Sequence, residues 1–270
     1  MTPDVHAIST AEGVSIRYRD YRPHGAVRAT AMLVHGLASS GQQFEEDARY
    51  LGERGYRVLV PDLRGHGQSG VPPGLVRSAD FILPVLAQDL LCVLDHAGAS
   101  RVHWVGNSLG GILALFLLGT PNAARLRSLT LFGTCFALQL PRRVGSLVPL
   151  AFVPGKAMTA ALTARLTTTS PIGRQAVAAA IRQLNVPAAA AVADAVRSYD
   201  FCDNALGFAG PLLVLRGGRD RLVNLGLGRQ VARFAGRPGF TRIDLPQAGH
   251  CANLDMPAQF RAALEAHWMG

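Results

Sequence analysis

Val102-His103-Trp104-Val105-Gly106-Asn107-Ser108-Leu109-Gly110-Gly111-Ile112-Leu113-Ala114 reads as a buried strand that turns sharply into a helix with a serine at the apex. Gly106 and Gly110 carry no side chain at the point where strand and helix would collide, which lets the backbone at Ser108 take a strained turn and expose its hydroxyl. A Gly-x-Ser-x-Gly in an arbitrary loop carries little information. Here an apolar strand precedes it and the apolar run Ile112 to Leu118 follows it, the context that a nucleophile-bearing turn requires.

Outward from this turn, strand-like and helix-like runs alternate. Val14 to Tyr21, Ala31 to His35, Tyr56 to Pro61, Leu126 to Phe132, Pro211 to Arg216 and Phe240 to Leu245 read as strands. Phe44 to Arg54, Ala79 to His96 with an interruption at Pro84, and Pro257 to Trp268 read as helices. Such alternation predicts an α/β fold with a mostly parallel sheet and helices on both faces. From about Thr134 to Leu206 the rhythm fails, and helical patches at Ala157 to Leu166, Arg174 to Leu184 and Pro187 to Ala195 predict a helical cap inserted over the active edge. The expected division is a core of residues 1–133 and 207–270 with a cap of residues 134–206.

The 270 residues, 49% hydrophobic and 17% charged, are enough to bury a large single core. The net charge of +9 comes from scattered arginines and a single lysine, Lys156, without the compact basic block of a nucleic-acid arm or membrane patch. No apolar run is long enough to span a bilayer. Met1 to Glu12 lacks the pattern of a secretory signal, so a cytoplasmic enzyme is the default expectation. Cys92, Cys135, Cys202 and Cys251 have neither paired nor metal-ligand spacing and are expected to be reduced thiols.

A serine hydroxyl at neutral pH needs a base, and the base needs an orienting acid. Arg216-Gly217-Gly218-Arg219-Asp220 places Asp220 just past a buried strand, and Gln247-Ala248-Gly249-His250 places His250 after the final strand. The chain order Ser108, Asp220, His250 is that of nucleophile-elbow hydrolases. Asp255 is an alternative acid, although its position before Met256-Pro257 reads as the cap of the last helix. Asp62 and His66 lie in a loop that reads as a hydrogen-bonded turn shaping the pocket floor. Cys251 reads as packing, and His6, His24, His96 and His267 as surface residues.

Four motifs together, His35-Gly36-Leu37, Pro61-Asp62-Leu63-Arg64-Gly65-His66-Gly67-Gln68-Ser69, Gly106-Asn107-Ser108-Leu109-Gly110-Gly111 and Ala248-Gly249-His250, make the chain resemble the α/β-hydrolase superfamily from about Ala29 to Ala266. The resemblance implies a serine hydrolase in which Ser108 attacks, His250 is base and then acid, and Asp220 orients it. It also implies that the backbone amides of Leu37 and Leu109 hold the oxyanion and that Gly36 and Asn107 border the substrate pocket. Two such amides contribute about 3–4 kcal/mol each to a developing oxyanion. The machinery implies a small-molecule carboxylic ester or lactone, with an apolar acyl part, and neither metal nor organic cofactor. Carbon-carbon hydrolases of vinylogous diketones share the motifs but usually carry tryptophan after the histidine, where this chain has Cys251. A noncatalytic binder on the same fold is the remaining alternative.

Overall fold

The computed structural model describes residues 1–141 and 144–269. Eight strands form one sheet in the order β1 (Asp4–Ser9), β2 (Ser15–Tyr21), β4 (Tyr56–Pro61), β3 (Ala29–Val34), β5 (Val102–Asn107), β6 (Leu126–Phe132), β9 (Leu212–Gly217) and β10 (Phe240–Leu245). From β4 to β10 every pairing is parallel, whereas β1 with β2 and β2 with β4 run antiparallel. The edge strand β1 has no counterpart in the sequence reading, because Val5, Ala7 and Ile8 put apolar side chains on both faces and hide the half-buried face of His6 and Ile8.

Side-chain alternation divides the core between the two faces of the sheet. Met32, Val34, Trp104, Leu212 and Val214 pack on one side with α2 (Leu83–His96) and α3 (Leu109–Leu118). Their neighbours Ala31, Leu33, Val105, Leu213 and Leu215 pack on the other with α1 (Glu45–Glu53) and the C-terminal helix Pro257–Met269. Strands buried on both faces are apolar throughout, which is why β3, β5 and β9 were legible as short continuous runs. Pro84 does not interrupt a helix: it sits in the first turn of α2, where a missing N–H costs nothing, and a separate 3-10 turn covers Ser78–Phe81.

After β6 the chain leaves the sheet through a short antiparallel ribbon of β7 (Ala137–Gln139) and β8 (Ser198–Asp200), with Ala137 opposite Asp200. Between these strands lie α4 (Val144–Leu150), α5 (Lys156–Thr167), α6 (Pro171–Gln183) and α7 (Val186–Ala195). Ala160, Ala164, Val177, Ile181, Leu184 and Ala189 form a small core of their own that includes Cys251 and touches Leu37 and Leu254. The helical segment therefore lies on the C-terminal edge of the sheet. The remaining helices are α8 (Cys202–Gly207), α9 (Asn224–Ala232), α10 (Ala252–Asp255) and α11 (Pro257–Met269). All four cysteines are free.

Candidate active site

Sheet order brings the loops after β3, β5, β6, β9 and β10 to one edge. The chain steps from β3 outward to β4 and then returns to β5 on the opposite side of β3, so the crevice between β3 and β5 is the topological switch point where open α/β sheets bind ligands. Ser108 stands there, with φ 48° and ψ −112°. Its amide donates to the Phe132 carbonyl at 3.0 Å, and its carbonyl accepts from Gly111 and Ile112, so the strained residue is held from both sides. The flanking glycines are steric necessities. A Cβ at Gly106 would lie 2.4 Å from the Gly111 nitrogen, and one at Gly110 would lie 2.2 Å from the Val34 carbonyl oxygen.

Asp220 and His250 meet: His250 Nδ1 donates to Asp220 Oδ2 at 3.0 Å. The other carboxylate oxygen accepts from the Leu222 amide at 2.9 Å. Burial pushes the Asp220 carboxyl upward, but the bonds from His250 and from the Leu222 and Val223 amides outweigh it and leave the group below its ordinary value of 3.8. In the neutral imidazole, a carboxylate on Nδ1 selects the tautomer whose Nε2 lone pair is free, the one a general base needs. Ser108 and His250 line the same cavity, of about 440 Å³.

Leu37 and Leu109 border that cavity as well. Leu109 is the first residue of α3, whose opening amides have no carbonyl within the helix to bond. A Cβ at Gly36 would come within 3.1 Å of the Ser108 Cβ, so the turn carrying Leu37 rests directly against the serine. The ordering of that turn comes from His35: its Nε2 accepts from the Leu63 amide at 3.0 Å, and its Nδ1 donates to the Gly36 carbonyl at 2.8 Å.

Gly36 and Asn107 do not line the cavity as the sequence reading expected; both lie behind its wall. Asn107 is buried, and its amide donates to the Phe132 and His250 carbonyls at 3.2 and 3.1 Å. Period-2 alternation along β5 explains the difference, because neighbours of an exposed apex residue point away from it. Asn107 belongs to a polar network that the sequence did not disclose. Gln43 donates to Asn107 and Asn253, both at 3.1 Å; Asn253 donates to Asp47 at 2.8 Å, and Arg261 Nε to Asp47 at 2.7 Å. The only local signal was a set of amide residues beside the motifs.

Asp255 is not the cap of the last helix. Its carboxylate accepts from the Thr168 hydroxyl, from the Thr169 and Ser170 amides at 2.8 and 2.9 Å, and from the Gly249 amide at 2.7 Å. It ties the α5–α6 corner to the loop of His250. Asp62 accepts from the Gly41 and Gln68 amides at 2.6 and 2.9 Å, an organised turn as its sequence indicated. Burial pushes the Cys251 thiol up, away from its reactive thiolate form. His6 and His96 are not plain surface residues, since both pack against the Tyr18 ring.

Neutral histidines withdrawn from solvent at both ends of the sheet make acid stability predictable. Burial pushes His66 and His103 down to about 4, and also lowers His35 and His267 from 6.5. The unfolded chain takes up these protons near pH 6.5 and the folded chain does not, so their contribution is complete above 6.5 and is lost as pH falls toward 4. Asp47 works in the opposite sense, because burial holds it at about 6, and Asp89 is also raised by burial. Four groups against two leave a net loss on acidification, at about 1.4 kcal/mol per pH unit for each net proton. Urea midpoints measured from pH 7 to pH 4.5 are expected to fall; a flat or rising series would contradict the assignment of neutral histidines.

A family model described as the alpha/beta hydrolase fold matches residues 32–158. The 3-hydroxybutyrate-oligomer hydrolase of Cupriavidus necator is 26% identical, over 86% of this chain and 86% of that protein. Among solved structures, a hydrolase from Pseudomonas aeruginosa superposes with a TM-score of 0.83 at 25% identity over 99% of both chains. The enol-lactonase from Burkholderia xenovorans superposes with a TM-score of 0.84 at 21% identity, over 98% of this chain and 100% of that one. By its sheet, its serine turn and these matches, the chain has the α/β-hydrolase fold and is similar to hydrolases that share it.

Proposed function

We propose that the protein is a serine hydrolase that cleaves a neutral carboxylic ester or lactone through an acyl-enzyme on Ser108. The observation that carries this reading is the His250–Asp220 hydrogen bond at the rim of a cavity that also holds the strained Ser108. In the proposed cycle, His250 Nε2 takes the hydroxyl proton as Ser108 Oγ adds to the carbonyl carbon. The oxyanion accepts from the Leu37 and Leu109 amides, and His250 returns the proton to the leaving alcohol or enol oxygen as the acyl–oxygen bond breaks. Water, deprotonated by the same imidazole, then releases the acid and restores Ser108. The helical segment of residues 134–206 acts as a cap, supplying Thr163 and Thr167 to the cavity wall.

The cavity wall supports a neutral substrate. Leu109, Ile112, Leu138, Leu140 and Val196 line it, and no arginine or lysine does so among the described residues. A substrate carboxylate placed there would lose its hydration without an ionic partner. The Tyr199 hydroxyl is already committed to the Cys135 carbonyl at 3.1 Å. This favours ester or lactone cleavage over hydrolysis of anionic diketones. A matched pair tests the reading: p-nitrophenyl butyrate is expected to exceed p-nitrophenyl hemisuccinate, of similar length but charged, by about tenfold or more in kcat/KM. Hydrolysis of neither neutral esters nor neutral lactones would reject it.

A further inference from the structure

The helical segment carries an outer face that the site does not use. Met158, Leu162 and Leu166 recur every four residues along α5 and form one exposed stripe, 62%, 59% and 57% accessible. Leu147, Leu150 and Val153, on α4 and in the turn after it, are exposed as well. Soluble monomers rarely expose so many large apolar side chains together without a partner. The stripe continues to the catalytic cavity, since α5 also contributes Thr163 and Thr167 to its wall and the exposed Leu140 and Leu222 form part of its rim.

Charge identifies the partner. Residues 140–193 contain six basic residues and not one aspartate or glutamate. Three of them, Arg165, Arg174 and Arg182, share a groove of about 340 Å³ between α5 and α6, and none makes an ion pair among the described residues. On α5, Arg165 lies three residues beyond Leu162 and borders the apolar stripe. A second copy of the chain fits this face poorly, because a two-fold contact would oppose one arginine-lined groove with another. Exposed apolar side chains bordered by unpaired arginines are the combination that binds an anionic lipid surface, with the apolar groups entering the headgroup boundary and the cations meeting phosphates.

We propose that the α4–α5–α6 face docks on anionic lipid surfaces, bringing the apolar rim of the cavity to a source of lipid-soluble esters. Docking is separable from the chemistry at Ser108, so the test uses the Ser108→Ala protein. Vesicles of phosphatidylglycerol and phosphatidylcholine are mixed with it at about 0.1 M salt, floated on a density gradient and compared with pure phosphatidylcholine vesicles. The protein is expected to float with the anionic vesicles only and to be released at about 0.5 M salt. Each surface charge contributes about fivefold to partitioning, so Arg165→Gln/Arg174→Gln/Arg182→Gln is expected to weaken it on the order of a hundredfold. Met158→Ser/Leu162→Ser/Leu166→Ser is expected to abolish flotation, and the same triple in the Ser108 protein to keep full activity on p-nitrophenyl butyrate. Four results would overturn the proposal: no flotation, equal flotation with neutral vesicles, release by millimolar inorganic phosphate, or a wild-type dimer that the serine triple dissociates.

Discussion

Replacing Ser108 with alanine is expected to lower kcat/KM for p-nitrophenyl butyrate about 10⁶-fold while leaving the thermal midpoint within a few degrees of wild type. The two expectations come from different parts of the same turn. The backbone strain at φ 48° is set by the flanking glycines and by the Phe132, Gly111 and Ile112 hydrogen bonds, none of which involves the hydroxyl. Alanine keeps the Cβ and removes only an atom that borders the cavity, so no buried partner is orphaned. Residual catalysis would come from the Leu37 and Leu109 amides and from substrate positioning alone. Retention of a tenth or more of the activity would place the nucleophile elsewhere. Cys251 is a poor substitute, because burial raises its thiol and keeps it protonated.

Asp220→Asn is expected to cost about 10⁴-fold in kcat. An amide placed against His250 Nδ1 presents either an N–H or an oxygen that no longer carries charge, and the first option forces the ring proton onto Nε2. That tautomer has no lone pair with which to receive the serine proton. Because the wild-type carboxyl lies below 3.8, it is ionised throughout the range from pH 5 upward, and the deficit is expected to persist across that range. Asp255→Asn provides the contrast. Its carboxylate bonds the Thr168, Thr169, Ser170 and Gly249 groups rather than an imidazole, so a loss below about tenfold is expected, together with weaker anchoring of the α5–α6 corner. A severe Asp255 variant beside a mild Asp220 variant would reassign the orienting acid.

The parts of the fold that were legible in sequence are those encoded locally. β5, Ser108 and α3 lie within seventeen residues, and their glycines, apolar runs and serine are read off directly. Asp220 and His250 could be picked out because each lies in the loop after a strand, the apolar β9 and the alternating β10, and strand ends on a parallel sheet converge on one edge. What remained hidden was long-range or weakly patterned. The bond between Gln43 and Asn253 joins residues 210 positions apart, and no local pattern announces it. The resemblance placed Asn107 in the pocket, but the side-chain period of a strand turns it to the opposite side. Three-residue strands such as β7 and β8 are too short to show periodicity, and the insertion therefore read as helical patches and loops without strands. The exposed apolar side chains of the insertion were likewise spread over its helices, with the arginines scattered in sequence and gathered only by the packing of α5 on α6.

A Ser108 nucleophile activated by His250 is open to covalent labelling. Wild-type protein and His250→Ala are to be incubated with a fluorophosphonate at pH 7.5, followed by intact mass measurement and peptide mapping. One adduct per wild-type chain, on Ser108, is expected, with labelling slowed by at least about a thousandfold in the histidine variant. An unmodified wild-type protein, or an adduct at another residue with Ser108 untouched, would contradict it.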